Sequence, residues 1–227
     1  MTGGGARPRL VLFDFDGTLV DSQHSIVAAF SMACRAHGVA GVDPAAIRRH
    51  IGLPLAVAIA ANLPEQHRAR AGDIAESYKQ AHRALALDAD HDPLFPGAFE
   101  AVLALKAAGA LLGIATGKGR RGLTMTLEKR GLAGKFDVLR SADDGPGKPD
   151  PWMVRSALDE LGLAPADAVV VGDTSFDMQM ALNAGVPGIG VGWGYHPEAE
   201  LIAAGAAFVA PTFDALLDAL KRRGMSA

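Results

Sequence analysis

The feature that most constrains the fold is a change of texture after residue 93. From there on, helical stretches alternate with short apolar runs at residues 111–115, 136–139, 168–171, 188–191 and 208–209. A run that short, with no polar residue every second place, reads as a strand covered on both faces. Strands separated by helices pair in parallel, because the helix supplies the crossover a parallel pair needs. Leu10-Val11-Leu12-Phe13 has the same texture near the start of the chain. Gly109, Gly131, Gly162 and Gly185 fall where helix C-caps are expected. The pattern predicts an α/β protein built on a Rossmann-like open parallel sheet with helices on both faces.

Residues 21–92 break the pattern, with no convincing strand. Asp21 and Ser22 are N-cap types before a helix carrying Ile26, Ala29, Phe30 and Ala33 on one face, and Asp43-Pro44 is an N-cap and N1 pair. Gly52-Leu53-Pro54 interrupts the next helix, a longer one follows Pro64 to about Leu87, and residues 88–93 read as a linker. The segment is therefore expected to be an α-helical cap inserted after the first strand. The catalytic core is expected at 9–20 and 93–227, the cap at 21–92, and residues 1–8 as a flexible lead-in.

Composition narrows the function. Half the chain is hydrophobic (49%), which is enough for a core, and 22 basic residues against 25 acidic ones give a net charge of −3. That balance argues against nucleic acid as a partner, since phosphate-backbone binding needs a clustered basic face. No apolar run approaches a membrane span. The single cysteine, Cys34, excludes an internal disulfide and a multi-cysteine metal site, and reads as a buried small apolar residue. The expectation is a soluble, cytoplasmic protein.

In open α/β sheets, ligands collect beyond the carboxyl ends of the strands. Asp14 and Asp16 follow the first run, Thr116-Gly117-Lys118 the second, and Gly172-Asp173-Thr174 with Asp177 the one ending at 171. Lys148 sits in a Gly/Pro-rich loop. Each has an ordinary reading as a cap, a turn residue or a solvated charge. Their convergence on one rim does not. Two like charges at about 4 Å cost about 4 kcal/mol at an effective dielectric near 20, so four clustered carboxylates call for a cation. Oxygen-only donors suit Mg²⁺, and glycine turns beside Thr18 and Gly117 offer N–H groups to an anion. An acidic, lysine-assisted, phosphate-shaped site points to phosphoryl transfer.

The string Asp14-Phe15-Asp16-Gly17-Thr18-Leu19-Val20-Asp21-Ser22 resembles the first motif of the haloacid dehalogenase-like phosphohydrolases. Thr116, Lys148 in Lys-Pro-Asp-Pro, and Asp173 with Asp177 resemble the second to fourth motifs, in order, across residues 10–195. Phe95-Pro96-Gly97 and Gly192-Trp193-Gly194-Tyr195 resemble the phosphoglycolate phosphatase-like branch. The resemblance implies that Asp14 attacks phosphorus to give an aspartyl-phosphate, while Asp16 protonates the leaving oxygen and then activates water. It implies Mg²⁺ held by Asp14, the Asp16 carbonyl and Asp173 with Asp177 alongside, and a phosphoryl group held by Thr116, Gly117 and Lys148. It implies a small phosphorylated metabolite as substrate, phosphoglycolate first, with Arg49 and His50 beside Gly52-Leu53-Pro54 as selectivity residues. Asp16 disfavours carbon–halogen and phosphonate cleavage; a hexose-phosphate mutase and a pyrophosphatase of the same family stay open.

Two readings come from other classes. Residues 117–122 form a Gly-x-Gly-x-x-Gly after a strand, with Asp137 as a possible ribose acid, as in dinucleotide binding. That reading leaves four aspartates idle. A non-enzymatic phospho-accepting module also carries Asp, Thr and Lys at strand ends, but needs neither Asp16 nor a large insertion.

Overall fold

The computed structural model describes residues 9–86 and 91–222. The lead-in at 1–8 and residues 88–90 of the expected linker lie outside them. Strand β1 (Leu10–Phe13) is followed by helices α1 (Gln23–Ala36), α2 (Pro44–Arg49), α3 (Leu55–Asn62) and α4 (Ala71–Leu85). Then come α5 (Ala98–Ala107), β2 (Leu111–Ala115), α6 (Arg120–Lys129), β3 (Val138–Arg140), α7 (Trp152–Leu161), β4 (Ala168–Gly172), α8 (Ser175–Ala184), β5 (Gly188–Val191), α9 (Glu198–Ala203), β6 (Ala206–Ala210) and α10 (Phe213–Arg222). The strands form one sheet in the order β3-β2-β1-β4-β5-β6, parallel throughout.

Strand β1 is central and buried on both sides, and its side chains split by the period of two. Val11 and Phe13 enter the core shared with Val102 of α5, Leu123 of α6 and Leu216 of α10. Leu10 and Leu12 enter the opposite core with Val154 of α7 and Ala181 of α8. Burial on two faces is why the run carries no polar residue. The chain order reverses direction between β1 and β4, so the loops after these neighbouring strands open a crevice at the switch point.

Helices α1 to α4 pack on one another rather than on the sheet. Phe30, Ala33, Cys34, Ile47, Ile59 and Ile74 form their own apolar cluster. Asp43 caps α2 as expected, accepting from Ala45 N at 2.9 Å. Ser22 stands at the N-cap of α1 but makes no side-chain cap there; its hydroxyl lies 3.4 Å from that of Tyr195. The single helix expected after Pro64 divides into a 3₁₀ stretch at Glu65–Arg70 and then α4. Glu65–Arg70 buries no residue, so no apolar stripe rewards α-helical winding until Ile74. Of the expected capping glycines, Gly162 and Gly185 are left-handed C-caps, while Gly109 and Gly131 stand one residue beyond the cap.

Gly113 of β2 is a packing requirement. A Cβ there would lie 2.5 Å from Leu12 Cδ1 and 2.7 Å from Val138 Cγ1. We expect Gly113→Ala to destabilise the protein by about 1–3 kcal/mol. Gly72, in the first turn of α4 with nothing within 4 Å of the same position, should give the opposite sign. Gly72→Ala should stabilise by about 0.4–1 kcal/mol. Urea unfolding midpoints of the two variants check this; a shift in the same direction for both would contradict the packing argument.

Candidate active site

Asp14 extends β1, its N–H donating to Val171 O at 2.8 Å. The chain then tightens: Leu19 N and Val20 N both donate to Phe15 O at 3.0 Å, and Gly17 N donates to Val20 O at 2.8 Å. Gly17 has φ 92°, and a side chain there would strike the Asp173 carboxylate; so would one at Gly194. The two glycines let the backbone close on Asp173 from both sides. Thr18 Oγ1 donates to Asp173 Oδ1 at 2.9 Å, and Tyr195 N donates to Oδ2 at 2.9 Å. Trp193 Nε1 donates to Thr18 O at 2.9 Å, so the Gly-Trp-Gly-Tyr segment braces the first motif.

Asp177 forms a capping box with Thr174 at the start of α8. Its Oδ2 accepts from Thr174 N at 3.0 Å and Thr174 Oγ1 at 2.7 Å. Its Oδ1 faces the Lys148 ammonium at 2.6 Å, and that ammonium lies 2.5 Å from Asp14 Oδ1. Asp14, Asp173 and Asp177 are all buried, and a carboxylate oxygen from each lies within 4.8 Å of the others. Asp14 Oδ2 has no hydrogen-bond partner. Three carboxylates against one ammonium leave two negative charges, which one divalent cation would balance.

The two aspartates of the first motif carry opposite shifts. Burial, opposed by Lys148 but reinforced by Asp177 and Asp173, pushes the Asp14 carboxyl well above the usual carboxylate range. Burial also raises Asp173, with Asp177 adding to it, up to about 7. Asp16 is lowered: burial opposes ionisation, but the Lys118 ammonium outweighs it, with hydrogen bonds from Ser22 and Lys118 assisting. Lys118 Nζ lies 3.0 Å from Asp16 Oδ1. Thr116 is buried and its Oγ1 accepts from Lys118 N at 3.1 Å.

A cavity of about 460 Å³ lies between this rim and the helical layer. Asp14, Asp16, Thr116, Gly117 and Lys118 form its floor, and Phe30, His50, Leu53, Tyr78 and His82 are among its upper wall. The loop after α2 makes the roof: carbonyls of Gly52 and Leu53 and the ring of Pro54 press on Gly117 and Gly147. His50 lines the cavity. Arg49 does not; its guanidinium pairs with Glu200 at 2.9 Å, largely exposed. The dinucleotide-binding reading of residues 117–122 fails on geometry. Asp137 bonds the N–H of Leu112 at 2.8 Å, at the end of β2 opposite Gly117, and cannot share a ribose site with it.

Several residues of the site escaped the sequence reading. From the sequence, Lys118 is only one residue of a strand end. Asp92, read as linker, is buried, with its Oδ2 3.6 Å from Lys118 Nζ and near His91 and His82. Burial, then repulsion by Lys118, lowers the His82 imidazole to about 3. His196 is buried, accepts from Ser175 N at 3.2 Å, and reaches Arg49 O at 3.1 Å through its other nitrogen, tying α8 to the helical layer. Nothing in a lone His after Gly-Trp-Gly-Tyr announces that role.

The raised Asp173 fixes a pH dependence. An unfolded carboxyl titrates near ~3.9, so the folded state holds this proton more tightly. The stability it contributes is complete below that value and is lost as the pH climbs through about 7. Asp14, raised in the same direction, adds to the trend. Thermal unfolding of chelator-treated protein should therefore show a larger gain from an added divalent cation at pH 8 than at pH 5. A gain that does not change with pH would contradict the assignment of the acidic cluster.

Comparison with known proteins agrees with this geometry. Residues 11–191 match the family model of haloacid dehalogenase-like hydrolases. The chain is 38% identical over 214 residues to a protein of Dickeya dadantii named probable phosphatase IndB, covering 92% of each. It is 35% identical to a phosphoglycolate phosphatase of Rhodospirillum rubrum, over 84% of this chain and 82% of that one. A solved haloacid dehalogenase-like family hydrolase of Streptococcus pneumoniae superposes with a TM-score of 0.81 at 28% identity, over 93% of this chain and 98% of that one. The chain thus belongs to the haloacid dehalogenase-like hydrolases, as a phosphatase of that family.

Proposed function

We propose that the protein is a Mg²⁺-dependent phosphatase that hydrolyses a small phosphorylated metabolite, with phosphoglycolate the first candidate, through an aspartyl-phosphate on Asp14. One observation carries the reading. Asp14 is buried at the cavity floor with one oxygen against Lys148 and the other without a hydrogen bond. A carboxylate oriented by one oxygen keeps the other available for attack. Mg²⁺ fits the carboxylates of Asp14 and Asp173 with Asp177 alongside, to which the family resemblance adds the Asp16 carbonyl, because all are hard oxygens. When bound, the cation offsets the repulsion between the attacking carboxylate and a dianionic phosphate.

The protein's own groups do the rest. Asp14 attacks phosphorus, Asp16 hands a proton to the leaving oxygen, and the ester bond breaks. Asp16 then takes a proton from the water that cleaves the aspartyl-phosphate, restoring Asp14. Lys148 holds Asp14 and, with Thr116 and Gly117, the phosphoryl oxygens. Lys118 holds Asp16 ionised in the free protein, the form that serves as base. A dianionic substrate beside it raises its proton affinity, as the first step requires. The helical layer at 21–92 acts as the cap that excludes water, and His50, in the cavity wall, is better placed than Arg49 to touch the part of the substrate that leaves.

A second reading rests on the cavity itself. Its volume of about 460 Å³ and its apolar wall of Ile26, Phe30, Leu53, Leu55 and Tyr78 exceed what a two-carbon acid fills. A hexose phosphate would use more of it, as substrate of a phosphatase or of a mutase.

Asp14→Asn should abolish turnover of every phosphomonoester tried with Mg²⁺. Asp16→Asn should slow it by about 10²–10⁴-fold. The Asp16 variant should also accumulate acid-stable, hydroxylamine-labile phosphate on the protein. Full activity in Asp14→Asn protein would end the proposal. A panel ranked by kcat/KM, with phosphoglycolate, hexose phosphates and pyrophosphate, decides the substrate.

A further inference from the structure

Where the chain returns from the helical layer to the sheet, three metal-ligating side chains meet away from the Asp14 cluster. His82 comes from the last turns of α4, and His91 and Asp92 from the return segment. Asp92 Oδ2 lies 3.2 Å from His91 Nε2 and 3.9 Å from His82 Nε2, and the two imidazole rings stand edge to face at 5.2 Å. Asp92 is only 4% exposed, yet its Oδ2 accepts no hydrogen bond, and neither does His82 Nε2 make one.

The surroundings hold this arrangement in place. Ser25 Oγ donates to the other oxygen of Asp92, fixing the carboxylate plane. Arg130 Nε donates to Asp92 O at 3.0 Å, and its guanidinium also reaches His91 O. Asp92 itself adopts φ 52°, the left-handed region, alone among the described non-glycine residues. Such a backbone persists only where its surroundings determine it, and the Asp92 Oδ2 it presents lies near the Nε2 atoms of both imidazoles.

We propose that His82, His91 and Asp92 form a second metal site, for a borderline transition ion of the Zn²⁺ class. Two imidazoles and a carboxylate form a donor set that favours Zn²⁺, Co²⁺ or Ni²⁺ over Mg²⁺, whereas the three oxygens at Asp14 favour Mg²⁺. The two sites therefore sort two metals by donor chemistry. Lys118 Nζ, 3.6 Å from Asp92 Oδ2 and 3.0 Å from Asp16 Oδ1, opposes the ion and must yield Asp92 to it while keeping Asp16. The bound ion would join α4 to the return segment, and through Arg130 to the core, beside the cavity wall.

Cobalt(II) titration of the whole protein under saturating Mg²⁺ tests this. The expected result is a visible absorption band that saturates at one equivalent and persists in Asp173→Asn protein. His82→Ala and His91→Ala should each lose it, and Ser25→Ala should weaken cobalt binding by roughly tenfold or more. Equimolar Zn²⁺ should raise the melting temperature of the wild type and leave that of His82→Ala, folded by circular dichroism, unchanged. The proposal is overturned if wild-type protein gives neither band nor thermal shift, or if the band survives in both histidine variants. It is equally overturned if the band disappears with Asp173→Asn alone.

Discussion

The site depends on one buried ammonium. Lys148 is 1% exposed and lies between Asp14 at 2.5 Å and Asp177 at 2.6 Å, the first from the end of β1 and the second from the first turn of α8. With no countercharge, carboxylates packed this closely would take up protons or swing apart. A buried pair of this kind adds little net stability against an apolar replacement, because desolvation offsets attraction. Its contribution is position. The Lys148 loop, β1 and α8 are brought to one point, so the carboxylates converge without a metal having first to gather them.

A second lysine separates the proton affinities of the two acids in the first motif. Asp14 and Asp16 stand two residues apart, both buried and both lining the cavity, yet one is raised and the other lowered. The difference lies in their company. Asp14 shares its lysine with Asp177 and stands near Asp173, so acidic neighbours and burial together outweigh one ammonium. Asp16 also shares its lysine, with Asp92 at 3.6 Å, but Lys118 lies closer to Asp16, at 3.0 Å, a Ser22 hydrogen bond assists, and the ammonium prevails. Paired carboxylates whose surroundings push their proton affinities apart are the usual means by which one site carries two protonic tasks.

Most of the sheet is readable from the sequence because burial on both faces leaves no room for polar residues. Central β1 and β2 could be placed to the residue for that reason. At the edges the reading drifts. Strand β3 begins at Val138 rather than 136, since the Asp137 carboxylate is engaged with Leu112 N, and β6 extends from Ala206 to Ala210 around its apolar centre. The rim aspartates were legible from their place at strand ends. Lys118, Asp92, His82 and His196 were not, because their partners lie far away in the chain, and no local spacing encodes a contact between α4, the return segment and β2. Asp92 was hidden further by a run of turn-forming residues that reads as linker.

How the helical layer meets the sheet follows from where each keeps its apolar surface. Phe30, Ile47, Ile59 and Ile74 satisfy one another inside the layer, and the two sheet cores close without them. Contacts across the seam include Arg49 on Glu200, His196 on Arg49 O, the backbone of Gly52 and Leu53 on Gly117, and the Pro54 ring on Gly147. An exposed pair such as Arg49 with Glu200 contributes about 0–1 kcal/mol. These contacts hold the loop at residues 52–54 over the cavity without merging the apolar cluster of the helical layer with the cores of the sheet.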